Sequence, residues 1–137
     1  MRSRMAEEPK IITIRRIERP RRSTPEDELD WLCKCFGFSE QDDLRKHILQ
    51  EILEAERQER GVRSHNISIK MHVTRGGAVY HLNKMIESGL IVRNGREYEL
   101  RGQNLEQTLE EMEEDMLRMF KRMRNIAKEL DEDMGLQ

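Results

Sequence analysis

The stretch Thr74–Leu100, TRGGAVYHLNKMIESGLIVRNGREYEL, decides how the rest of the chain is read. Thr74 is a good N-cap, because its hydroxyl can accept from the orphan amides of a first helical turn. Val79, Leu82 and Ile86 recur at helical spacing with Ala78 and Met85 beside them, so one face is apolar. Gly89 supplies the left-handed residue that stops the helix. Two short alternating runs follow, Leu90–Arg93 and Arg96–Leu100, joined by Asn94-Gly95. Asn-Gly marks a type I′ hairpin, which needs positive φ at both central positions. The face left over on the helix carries Arg75, Tyr80, His81, Asn83 and Lys84. Hydrogen-bonding and cationic side chains of this kind suit base edges and phosphates.

On the residues Thr74-Arg75-Gly76, His81-Leu82 and Gly89-Leu90-Ile91, followed by the Asn-Gly hairpin, the stretch resembles the recognition helix and wing of winged helix-turn-helix transcription regulators. The similarity is to the broad ArsR/MarR-like group, archaeal members above all, and extends over residues 42–101. The resemblance implies a mainly α fold with a small β-hairpin wing. It also implies a homodimer that binds double-stranded DNA, with the recognition helix in the major groove and the wing on backbone or minor groove. Arg75, Tyr80, His81 and Lys84 are the expected groove contacts, and Arg93 and Arg96 the wing contacts. Ser64, Lys70 and Thr74 would position the motif on phosphates, and Gly76 would let a phosphate approach the bare amides of the helix start. One departure stands out. A glycine is common in the turn before the recognition helix, whereas this chain has His72.

The formal charge of −2 is a poor guide until it is divided along the chain. Residues 1–22 hold eight cationic side chains against three acidic ones, and residues 60–101 hold the same, so each segment carries a net +5. The balancing acid lies in residues 23–59 and in the C-terminal tail. Asymmetry of this kind is what polyanion binding requires. Charged residues make up 38% of the chain and hydrophobic ones 36%, which predicts a modest core and exposed helices. No apolar run is long enough to span a bilayer, and the N-terminus lacks a signal-peptide pattern. With only Cys33 and Cys35 there is no disulfide framework, so a reduced cytoplasmic protein is expected.

Upstream of the deciding stretch, the β-branched run Lys10–Glu18 suits a strand. The basic residues around it, Arg15, Arg16, Arg19, Arg21 and Arg22, form an arm. The arm can lie along DNA and add salt-sensitive affinity, or it can be a solvated tail or a strand completing the domain. Ser23-Thr24-Pro25-Glu26-Asp27 starts a helix that should run to about Phe36 and stop at Gly37. Ser39, with Asp42 three residues on, starts the next, expected from Glu40 to Arg60 with Gly61 as its stop. Ser64 should cap a short third helix with Ile67 and Met71 inward.

Downstream, Leu105, Leu109, Met112, Met116, Met119, Met123, Ile126 and Leu130 are spaced 4, 3, 4, 3, 4, 3, 4, an uninterrupted heptad seam. Phe120, Ala127 and Met134 widen it. Acidic residues fill the first half and Arg118, Lys121, Arg122, Arg124 and Lys128 the next stretch. An antiparallel second copy would therefore match Met116 with Met119′, Leu109 with Ile126′ and Asp115 with Arg122′. The competing expectation is that the helix folds back on its own domain. The chain thus divides into a basic arm at 1–22, a winged domain with an N-terminal helix at 23–102 and a coiled-coil-like dimerisation helix at 103–137.

Other chemistry is weakly signalled. Cys33 and Cys35 sit two apart on a helix and do not face each other, so buried thiols are expected and no metal site. His47, His65 and His72 lack ligand spacing. No phosphate-cradling loop, nucleophile elbow or catalytic carboxylate pair is present, which predicts neither enzyme activity nor a cofactor. The expected function is a homodimeric, sequence-specific transcription regulator. The alternative is a winged-helix adaptor that docks a transcription-machinery partner without reading sequence; effector gating is compatible with the first and tied to no residue.

Overall fold

The computed structural model describes residues 13–19, 24–38 and 43–136. The expectations for Arg21, Arg22 and the Ser39/Asp42 cap fall outside them. Among the described residues the elements run α1 (Pro25–Cys35), α2 (Asp43–Arg57), β1 (Val62–Arg63), α3 (Ser64–Lys70), α4 (Arg75–Glu87), β2 (Ile91–Asn94), β3 (Glu97–Leu100) and α5 (Leu105–Met134). The architecture is mainly helical, with a small three-stranded antiparallel sheet and a long C-terminal helix.

α1 begins where its sequence says. The Thr24 hydroxyl accepts from the Asp27 amide at 3.1 Å while the Asp27 carboxylate accepts from the Thr24 amide at 3.4 Å, a reciprocal capping box. The chain leaves α1 through Gly37 at φ +82°. A side chain there would also collide with Thr13, whose Cγ2 lies 2.5 Å from the place a Cβ would take. Residues 13–19 are irregular, so of the alternatives the sequence left open for Lys10–Glu18 the strand does not form over that part. The arm is held by two bonds instead, Arg15 N to the Cys35 carbonyl (2.7 Å) and Trp31 Nε1 to the Ile17 carbonyl (3.0 Å). A helix end offers spare carbonyls but no ladder of alternating donors and acceptors, so an extended segment beside it stays irregular.

α2 ends at Arg57, four residues before the expected stop, and Glu59 rather than Gly61 takes the left-handed conformation (φ +55°). Gly61 has a different duty. A Cβ there would stand 2.8 Å from Glu97 Cβ, so glycine lets the chain pass against β3 and pair with it as β1. The pairing sets Val62 opposite Tyr98 and Arg63 opposite Glu97, and gives the order β1-β3-β2. The hairpin is therefore the outer two-thirds of a three-stranded sheet.

Ser64 is a correction. It is the first residue of α3, whose cap is Arg63 with no side-chain bond. The turn from α3 to α4 passes through His72 at φ +55°, so this exposed histidine occupies the left-handed position that favours glycine. The hairpin register pairs Asn94 with Glu97. Its two-residue loop is thus Gly95-Arg96, and only Gly95 has positive φ (+65°), the glycine-first arrangement of type II′ rather than type I′.

The core gathers Ile48, Leu49, Ile52 and Ala55 of α2, Ile67 of α3, Ala78, Leu82 and Met85 of α4, and Leu90, Ile91, Tyr98 and Leu100 of the sheet region. α5 joins this core with its first three turns only. Asn104 caps it, accepting from the Gln107 amide at 2.8 Å, and the Thr108 hydroxyl accepts from the Gly102 amide at 2.9 Å. Met112 joins the core and Leu105 and Leu109, partly buried, pack against it, as the fold-back alternative expects for this end of the helix. Asp115 closes the joint. Its carboxylate, 4% exposed, takes guanidinium groups of both Arg101 and Arg118. From Leu117 to Leu136 every residue is exposed. Among the described residues no helix is long and apolar enough to cross a membrane.

Candidate nucleic-acid interface

α4 is anchored by Ala78, Leu82 and Met85, all fully buried. The residues two positions before each, Gly76, Tyr80 and Asn83, lie about 200° round the helix and so face directly away from the core. All three are exposed, Tyr80 by 54%. Of the apolar face expected from sequence, Ala78, Leu82 and Met85 form the sealed stripe and Val79 and Ile86 its half-buried flanks. Asn83, on the polar face read from the sequence, is exposed on the outward side.

The helix start is built as expected. Thr74 is extended (ψ 156°) and its hydroxyl accepts from the Gly77 amide at 3.0 Å. Arg75 and Gly76 follow, both exposed, and no atom lies within 4 Å of where a Gly76 Cβ would stand. A ligand could approach this backbone closely, toward amides at the positive end of the helix dipole.

His81 is half-buried, and its Nδ1 accepts from Arg45 Nε of α2 at 3.1 Å, while the Arg45 guanidinium also lies 5.8 Å from the Phe38 ring. His81 therefore ties α4 to α2 through Arg45. An accepting Nδ1 carries no proton, so the ring's donor is Nε2. Arg45 is the partner that sequence reading missed; a contact across 36 residues leaves no local signal.

Lys84 sits beside the outward face, its ammonium 5.6 Å from the Tyr80 ring and 3.6 Å from Glu87. Lys70 is exposed at the end of α3 and pairs with Glu51 at 2.8 Å. Both cations are held by surface pairs that contribute little to stability. Arg93 folds back on the hairpin, donating to the Gly95 carbonyl at 3.0 Å with its guanidinium 5.5 Å from the Tyr98 ring. Arg96 stands exposed at the loop tip. Ser64 is half-buried in α3, and Arg15, Arg16 and Arg19 are exposed on the arm.

The arm, α1 and the start of α5 enclose an apolar cleft of about 350 Å³, lined by Ile14, Ile17, Trp31, Phe36 and Leu109 among others. Cys33 is buried and Cys35 half-buried, both as free thiols. Among the described residues no group of three or more His, Cys, Asp and Glu is placed to hold a metal ion.

No protein-family model, curated protein or solved structure matches this chain.

Proposed function

We propose that this chain is a homodimeric, sequence-specific regulator of transcription that binds double-stranded DNA as a winged helix. In this reading α4 enters the major groove, the β2–β3 hairpin is the wing, and Arg96 at its tip meets backbone or minor groove. One observation carries the reading: an exposed polar strip on α4, Gly76, Tyr80 and Asn83, with Lys84 beside it and Arg75 exposed at the helix start, opposite a face locked into the core. Asn83 is the side chain best suited to read a base, because an amide can pair bidentately with adenine. Tyr80 offers a hydroxyl and a ring face. Arg75, Lys84 and Lys70 supply charge to phosphates, and the arm residues Arg15, Arg16 and Arg19 add a salt-sensitive share.

The test is fluorescence anisotropy with random duplex DNA over a salt series. Binding should weaken log-linearly with salt, and Arg75→Ala should weaken it on every duplex and reduce the salt slope by about one. An unchanged isotherm for that variant would remove Arg75 from the interface.

A second reading is a winged-helix adaptor that docks a protein of the transcription machinery. The pairs Lys70–Glu51 and Lys84–Glu87 favour it, since each lowers the free positive charge of the proposed surface. Absence of duplex binding at low salt would select this reading.

A further inference from the structure

The far half of α5 is an apolar face on which, among the described residues, no other element packs. Met119, Phe120, Met123, Ile126, Leu130 and Met134 are 45–64% exposed, and they recur as one stripe along a helix that runs about 27 Å past Met116. We infer that this face is closed by the same face of a second copy running antiparallel, with the two-fold axis between Met123 and Ile126. The inference rests on the homodimer part of the function proposed above and fixes which residues form the dimer.

The amount of surface fits. The stripe exposes on the order of 700 Å² per copy, the most a partner could cover there, beside the ~800 Å² per partner of a stable protein interface. Charge sets the direction. Arg118, Lys121, Arg122, Arg124 and Lys128 precede Glu129, Asp131, Glu132 and Asp133, so an antiparallel copy lays each acidic end over the other's basic stretch. A parallel copy lays like over like, and flanks Arg122 and Glu129 with the apolar Phe120/Ala127 edge.

The start of α5 then selects the register. The pairing suggested by the seam alone, Met116 with Met119′ and Leu109 with Ile126′, needs Leu109 and Met112, which are packed on the core. It also needs Asp115, which already holds Arg101 and Arg118. Sliding by one heptad layer brings Arg122 against Arg122′ and still calls on Met112. One layer further, Met123 meets Ile126′, Met119 meets Leu130′ and Arg122 faces Glu129′. This register uses only the exposed half of the helix and matches opposite charges on its flank.

The experiment is sedimentation equilibrium of the full chain without DNA, on the wild type, Arg122→Glu, Glu129→Arg and the double variant. Both substitutions lie at exposed positions, and residues 122 and 129 are two turns apart, too far to pair within one helix. The wild type should be dimeric at micromolar concentration. Each single variant should dissociate about tenfold more readily, and the double variant should return to within about threefold of wild type. A monomeric wild type, neutral single variants, or a double variant weaker than either single would each overturn the inference. Because no DNA is present, its failure leaves groove reading standing; lost DNA binding by an intact dimer would do the reverse.

Discussion

Two solvent-facing helix surfaces of this protein differ in kind, and the difference indicates what each meets. The outward face of α4 is polar: Gly76, Tyr80 and Asn83 stand opposite a sealed apolar stripe, so the helix is complete in water. The far half of α5 is the reverse, an apolar stripe bare to solvent along its whole length. A polar face can exchange water for phosphate and base edges at small cost, whereas an apolar one gains only by meeting another apolar face. Exposure alone would have put both surfaces in one class. On the proposed reading the first meets DNA and the second another copy of the chain.

The sharpest way to break this comparison is to cross from one side of α4 to the other. Leu82→Ala, on the buried side, should cost about 3 kcal/mol in a denaturant melt. Its neighbour Asn83→Ala should stay within about 0.5 kcal/mol of wild type in the same melt. Similar losses from both would mean that the outward face is structural. At the joint of α5, Asp115→Asn should cost about 2 kcal/mol, because one carboxylate oxygen that receives a guanidinium becomes an amide. The loss should be the same at all protein concentrations, since the joint lies within one chain. Met123→Ala should instead make the melting temperature more dependent on concentration, as expected when stability is borrowed from association. A concentration-independent loss there would show the far half folding onto its own domain.

In DNA titrations, Asn83→Ala should lose about 1–3 kcal/mol on a preferred site and little on random duplex. Arg96→Ala should lower affinity for both alike and reduce the salt slope by about one. Equal losses from Asn83→Ala on both duplexes would deny it a role in reading sequence.

The smallest effect tests the periphery. Lys34's ammonium hydrogen-bonds the Asp30 carboxylate, and with Lys46 nearby it holds that carboxyl below the usual carboxylate range. A depressed carboxyl contributes stability above its unfolded pKa and loses it as pH falls through the folded value. Asp30→Asn should therefore destabilise by less than about 0.5 kcal/mol at neutral pH, given the exposure of the pair, and make no difference once pH is well below the carboxylate range.

Elements set by neighbours in sequence were legible without a structure. The Thr24 and Thr74 caps, the left-handed stop at Gly89 and the hairpin after it depend on a few adjacent residues. What could not be read depended on distant contact. β1 is two residues long and exists because Gly61 lets the chain lie against Glu97. The same contact explains why Gly61 resembled a helix stop and is not one. Nothing beside His81 in the sequence points to its tie to Arg45 of α2, and the heptad pattern of α5 could not say that its first turns face home. On α4 the polar face was legible, Asn83 included, but its residue order did not rank Asn83 among the expected groove contacts.

The central claim is that two copies of the α4 face read a symmetric site on duplex DNA. Selection from a pool of random duplexes, followed by sequencing, tests it most directly. The account predicts enrichment of an inverted repeat whose half-sites lie about one helical turn, or a multiple of it, apart. A pool that stays flat through successive rounds at low salt would contradict it.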